Sequence, residues 1–120
     1  MSTSNRRKDP RIAHRLQLHL TRDVEVTKTE SENLSASGVY CTVKHYIPLM
    51  TKLIIRLELP KAHGSHIDCR GVVVRIEPPI ETPRHTKYNV AIFFNELSEQ
   101  DRKRLAGYVQ THLASGPAPA

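Results

Sequence analysis

The sequence predicts an all-β domain with one terminal helix: a six-stranded antiparallel barrel, closed or split, followed by a C-terminal α-helix. Three observations lead there. Apolar and polar residues alternate in about six short runs between residues 14 and 94, the period of half-buried strands. Turn and breaker residues separate these runs at short intervals, with no strand–helix–strand alternation of the kind that builds a doubly wound sheet. After Ser98 the period becomes helical. Many short strands favour closure, because a closed sheet leaves no edge exposed.

The first two runs occupy residues 14–21 and 24–31. Leu16, Leu18 and Leu20 alternate with Gln17, His19 and Thr21, and Val24 and Val26 resume the pattern after Arg22-Asp23. The pair forms either a hairpin or one bent ribbon. Asn33-Leu-Ser-Ala-Ser-Gly38 is a polar turn cluster, and Val39, Cys41 and Val43 open the third strand. Leu53, Ile55, Leu57 and Leu59, with Arg56 and Glu58 opposite, give a fourth strand stopped by Pro60. His63-Gly-Ser65 is a turn. Residues 67–76 form a long fifth strand in which Gly71 marks a bulge or a corner bend.

Pro78, Pro79 and Pro83 cannot sit in a central strand, so residues 77–87 form a loop. Tyr88, Val90, Ile92 and Phe94 make the sixth strand. Ser98 followed by Asp101 resembles a capping box, and Glu99 and Asp101 suit the positive end of a helix. Leu105, Tyr108, Val109 and Leu113 recur at helical spacing, so residues 99–113 form an amphipathic helix, which Gly107 weakens by about 1 kcal/mol relative to Ala. The expected organisation is a flexible basic arm (1–13), the barrel (14–97), the helix (98–113) and a disordered tail (114–120).

With 120 residues the chain supports one hydrophobic core. No apolar run approaches the ~18–20 residues of a membrane span, and the first fifteen residues lack the apolar segment of a secretory signal. Two cysteines are too few for a disulfide framework, so a cytoplasmic protein is expected. Four of the six net positive charges fall in residues 1–15, where Arg6, Arg7, Lys8, Arg11 and Arg15 face Asp9 alone. A basic arm on a near-balanced body differs from the broad basic surface of a bulk nucleic-acid binder. Nucleic acid is therefore not the expected partner.

Catalytic signatures are missing. The sequence has no nucleophile elbow, phosphate-binding glycine loop, HExxH or closely spaced carboxylate pair, so neither an enzyme nor a cofactor is expected. Cys41 and Cys69 lie in strand patterns, where free cysteine behaves as a small hydrophobe. His63-x-x-His66-x-x-Cys69 offers three ligand types but crosses a turn into a strand and lacks a fourth, so a solvated turn is the simpler reading and no metal is expected. Arg15, Arg22 and Arg75 belong to no motif and read as surface charges.

Two patterns carry more. Arg7-x-x-x-Arg11, preceded by Arg6, is followed by Asn33-x-Ser35-x-x-Gly38 at the opening of a strand. Chance gives about one arginine pair of the first kind in this composition, but only about 0.02 patterns of the second. Their order and strand context restrict them further.

In these segments the chain resembles the PilZ domain family, receptors for the bacterial second messenger cyclic di-GMP. Arg6-Arg-Lys-Asp-Pro-Arg11 and Asn33-Leu-Ser-Ala-Ser-Gly38 are similar to the two halves of the family signature, RxxxR and [D/N]xSxxG. Val90-Ala-Ile-Phe-Phe-Asn-Glu-Leu97 and the capped helix are similar to its last strand and terminal helix, so the resemblance spans roughly residues 6–113. It implies a non-catalytic receptor on a six-stranded barrel that binds one or two cyclic di-GMP molecules; the expected mechanism is ordering of the arm by the ligand, which presents a new surface to an effector protein. Monomer and dimer are both compatible with it.

The resemblance assigns ligand contact to Arg6, Arg7, Arg11, Asn33, Ser35 and Gly38. Arginine presents a planar charged fork that grips phosphate or the Hoogsteen edge of guanine and stacks on purines. Arg6 matches the extra arginine that accompanies binding of two ligand molecules. Asn33 and Ser35 would hydrogen-bond guanine, and Gly38 would permit close backbone approach or an unusual φ. Asn33 stands where the family usually has Asp, and an amide offers one acceptor oxygen where a carboxylate offers two. Ala91 replaces the usual Gly of the last strand, a change expected to affect packing rather than ligand contact. Two other readings keep the fold: a protein-interaction adaptor without a messenger site, and a small-barrel binder of nucleic acid. The second needs aromatic platforms, whereas Tyr88 and Phe94 read as core.

Overall fold

The computed structural model describes residues 10–114; Arg6 and Arg7, most of the expected arm and residues 115–120 lie outside them. Six strands close into a barrel: β1 (Gln17–Arg22), β2 (Glu25–Leu34), β3 (Gly38–Val43), β4 (Lys52–Glu58), β5 (His66–Glu77) and β6 (Tyr88–Glu96). Their order around the barrel is β1-β2-β3-β6-β5-β4, with every neighbouring pair antiparallel. Pairing of Leu18 with Leu57 and of Leu20 with Ile55 joins β1 to β4 and closes the ring. The alternating apolar positions fill the interior: Leu18, Leu20, Cys41, Ile55, Val73, Val90, Ile92 and Phe94 are all buried.

β1 and β2 form a hairpin rather than one bent ribbon. Arg22 pairs with Glu25 across a two-residue turn in which Asp23 adopts φ 57°, a left-handed conformation that Asp tolerates. β1 begins at Gln17, later than the alternation suggests, because a side chain replaces the ladder upstream of it. The Leu16 N–H donates to Ser31 Oγ at 2.9 Å, the Ser31 N–H donates to the Leu16 carbonyl at 2.9 Å, and the Ser31 hydroxyl donates to the His14 carbonyl.

β2 continues to Leu34, beyond the expected end, after a register shift between Ser31 and Asn33. β5 carries two shifts, at Arg70/Gly71 and at Val73/Arg75. The first is the bulge signalled by Gly71. A Cβ there would lie 2.6 Å from Ile92 Cγ2 and 2.7 Å from Ile55 Cδ1, so a larger residue would have to push these side chains aside.

The helix α1 spans Glu99–Ala114. Ser98 caps it, its Oγ accepting the Asp101 N–H at 3.1 Å. The reciprocal half of the capping box is not used, because the Asp101 carboxylate pairs with Arg104 Nη1 at 2.7 Å. Leu105, Tyr108 and Val109 are buried, while Leu113 is 41% exposed, so the apolar stripe ends a turn earlier than its spacing suggests. Two arginines tie the helix to the barrel. Arg104 donates to the carbonyls of His63, Gly64 and His66, and Arg102 Nη1 donates to the Ala36 carbonyl at 3.2 Å in the β2–β3 turn.

Around Tyr108 the rings of His14, His63 and His112 gather within 5.5 Å of its own. Burial raises the Tyr108 pKa, and its hydroxyl hydrogen-bonds with His14 Nδ1. Burial, and then the neighbouring His112, lower the His14 pKa from 6.5. The native state thus binds fewer protons than the unfolded chain below about pH 6.5, and stability falls as pH drops through that value towards the lowered native pKa. The thermal midpoint of wild type is expected to fall from about pH 7 to about pH 5 more steeply than that of His14→Gln. Identical slopes in the two proteins would refute the linkage.

The cysteines and His63 take part in packing. Burial pushes the Cys41 and Cys69 thiols up to about 12, leaving them unreactive as nucleophiles near neutral pH. His63 packs edge-on against Tyr108, and among the described residues no three His, Cys, Asp or Glu side chains gather as a metal site. Within the same residues no helix is long and apolar enough to cross a membrane.

Candidate functional site

The polar cluster after β2 builds one wall of a cleft. The Ser35 N–H donates to the Gly38 carbonyl at 3.0 Å, and the Ser37 N–H donates to Ser35 Oγ at 3.1 Å, a serine-stabilised turn. The turn is held from outside as well: the Phe94 N–H donates to the Ser37 carbonyl at 2.9 Å and Arg102 reaches Ala36. Ser35 is buried, and its hydroxyl is engaged in shaping the turn. Of the two reasons expected for Gly38, close approach is the one that applies. A Cβ at this position would stand 2.5 Å from the Ile92 carbonyl oxygen, whereas only Gly64 among the described glycines has positive φ.

The upstream motif reaches this wall through two backbone bonds. The Ile12 N–H donates to the Leu34 carbonyl and the Leu34 N–H to the Ile12 carbonyl, both at 2.8 Å, and Ile12 is buried. Neighbouring residues of an extended segment point to opposite sides. With Ile12 inward, Arg11 is exposed and lines the same cleft as Asn33, Ser35 and Gly38. It makes no ion pair among the described residues. Arg6 and Arg7 precede it, outside the described residues.

The floor of the cleft is a single row across four strands: Asn33 pairs with Tyr40, Tyr40 with Ala91, and Ala91 with Arg75. At ~4.8 Å per strand spacing, the ends of the row lie about 14 Å apart. The cleft holds ≈ 380 Å³, within the range of small-ligand sites. Asn33 Oδ1 is buried with no hydrogen-bond partner among the described residues, an acceptor whose unmade bond costs about 1–3 kcal/mol.

Sequence reasoning missed the far wall. Arg75, read as a plain surface charge, lines the cleft together with Val74 and Phe93. Ala91, expected to matter for packing, also lies in the lining, where its small side chain keeps the middle of the row low. Tyr88 and Phe94 are buried in the core, so neither offers a face for stacking bases.

The model of one family, the PilZ domain, matches residues 5–111. The chain belongs to the PilZ domain family. Members of this family are non-catalytic receptor domains. Among solved structures, Bacillus subtilis inhibitor of motility (MotI/DgrA) superposes with a TM-score of 0.78 at 21% identity, over 93% of this chain and 53% of that one. The PilZ domain of YcgR from Escherichia coli with c-di-GMP gives 0.67 at 13% identity, over 92% and 93%. The MrkH–c-di-GMP complex of K. pneumonia gives 0.69 at 16%, over 91% and 52%. This chain thus spans about half the length of MotI and MrkH, and these similarities establish the barrel-plus-helix fold. A comparison with curated proteins finds no match.

Within this PilZ domain the two halves of the motif depend on different forces. Asn33, Ser35 and Gly38 are set by the local turn chemistry of one segment. Arg11 reaches them through the Ile12–Leu34 bridge and the burial of Ile12.

Proposed function

We propose that this PilZ domain is a non-enzymatic receptor for cyclic di-GMP. The observation that carries the reading is the meeting of Arg11 with Asn33, Ser35 and Gly38 in one cleft. The unpartnered Asn33 Oδ1 supports it, since a guanine N–H would supply the missing donor. The shared fold with the c-di-GMP complexes of YcgR and MrkH supports it too.

In this reading Arg7 and Arg11 grip phosphates and guanine edges as charge-assisted donors. Asn33 accepts a hydrogen bond from guanine, Ser35 keeps the turn in shape, and Gly38 lets the ligand lie close to the backbone. Ligand binding draws the arm of residues 1–13 over the barrel of residues 14–97. The surface so created is read by an effector protein in the cytoplasm. Arg6 supplies a further contact that allows a second, stacked ligand molecule.

Calorimetric titration tests the proposal. Wild type is expected to bind cyclic di-GMP with a dissociation constant of roughly micromolar or tighter, at one or two molecules per chain. Arg7→Ala should reduce affinity strongly and Asn33→Ala less. Undetectable binding by wild type at both low and physiological salt would overturn it.

A further inference from the structure

We infer that Arg75 is a specificity-determining residue that reads the Hoogsteen edge of one guanine, with Phe93 and Val74 forming the face on which that base lies. The inference rests on the cyclic di-GMP reading above and extends it to a wall of the cleft that neither motif reaches.

Four observations carry it. First, a strand of strict alternation would send Val73 and Arg75 to the same side. The register shift between them instead leaves Val74 and Arg75 both exposed, with Val73 and Ile76 buried on either side. Bulges that re-aim a side chain recur beside functional sites.

Second, the re-aimed guanidinium is oriented. Its Nε and Nη2 both donate to Glu77 Oε2, at 3.4 and 3.2 Å. That leaves the end-on pair, Nη1 and Nη2, with N–H groups for two acceptors side by side. The pair is 66% and 51% exposed, so it contributes little to stability.

Third, Val74 and Phe93 are 51% and 48% exposed and line the same cleft as Arg75. An exposed valine and phenylalanine sharing a cleft with a guanidinium suit a flat heterocycle better than a phosphate. The Glu77 carboxylate also offsets the charge that a phosphate would seek.

Fourth, Arg75 ends the row that begins at Asn33, about 14 Å away. The polar readers therefore stand at opposite ends of the floor, as a ligand with two bases requires. Guanine presents O6 and N7 as adjacent acceptors, whereas adenine replaces one acceptor with an amino donor.

The test titrates cyclic di-GMP and its 7-deazaguanine analogue, which lacks the N7 acceptor, into wild type and into Arg75→Ala, Arg75→Lys and Phe93→Ala. Arg75→Ala should lose about 10- to 100-fold affinity for cyclic di-GMP, and Arg75→Lys should not restore it, because a point charge cannot span two acceptors. Wild type should bind the analogue less tightly than cyclic di-GMP, and Arg75→Ala should weaken analogue binding by no more than about 3-fold. Phe93→Ala should weaken both ligands alike. An Arg75→Ala loss equal for the two ligands, or rescue by Lys, would mean a phosphate contact and overturn the assignment. So would unchanged affinity in Arg75→Ala. Absence of wild-type binding removes the cyclic di-GMP reading as well, whereas wild-type binding with any of these outcomes removes this inference alone.

Discussion

Replacing Arg11 by Ala is expected to weaken cyclic di-GMP binding by about 10- to 100-fold while moving the thermal midpoint by less than about 1 °C. The two halves of that expectation have separate causes. A hydrogen bond to a charged group contributes about 1.5–3 kcal/mol, the free energy of such a loss in affinity. The fold, in contrast, draws nothing visible from this side chain: Arg11 is exposed and has no ion-pair partner among the described residues, and the backbone bridge belongs to Ile12. Affinity measured beside thermal unfolding separates the effects. Wild-type affinity in Arg11→Ala would exclude a direct contact, and a drop in the midpoint of several degrees would give the residue a structural role.

Gly38→Ala is expected to do the reverse, damaging fold and site together. The added methyl would stand 2.5 Å from the Ile92 carbonyl oxygen, a backbone atom that no rotamer change can remove. β3 must then move away from β6 at the first residue of their ladder, where Gly38 pairs with Phe93. Overpacking of this kind costs about 1–3 kcal/mol, which for a domain of this size lowers the thermal midpoint by roughly 10 °C. The Ser35–Gly38 hydrogen bond lies at the same point, so the turn shifts with the strand and cyclic di-GMP binding is lost even below the melting range. A midpoint within about 2 °C of wild type would show that the strands adjust freely there.

The sequence carried the barrel because its alternation is almost undisturbed over β3, β4 and β6, where each strand keeps one face buried. It also carried the near wall of the site, since Asn33, Ser35 and Gly38 work through one local turn whose chemistry is written in consecutive residues. What it hid lies at broken periods. β1 starts late because the Ser31 hydroxyl, fifteen residues away, substitutes for a strand partner. Arg75 reads as an ordinary surface charge because the bulge that aims it at the cleft leaves no mark in residue type: Val73-Val-Arg-Ile76 reads as uninterrupted strand. A glycine announced the other β5 bulge, and this one has none. Ala91 was legible as a small residue, but its place between Tyr40 and Arg75 depends on a register that only long-range pairing fixes.

The two hydrogen bonds between Ile12 and Leu34 also set a leash. A chain spans at most ~3.6 Å per residue, so Arg7, five residues before Ile12, cannot carry its Cα farther than about 18 Å from that knot. In the cyclic di-GMP reading, a ligand held by Arg11 would therefore meet Arg7 at the raised local concentration of a short tether. In that reading the two arginines are unequal: the Ile12–Leu34 bridge places Arg11 in the cleft, while covalent geometry alone bounds the distance of Arg7 from it.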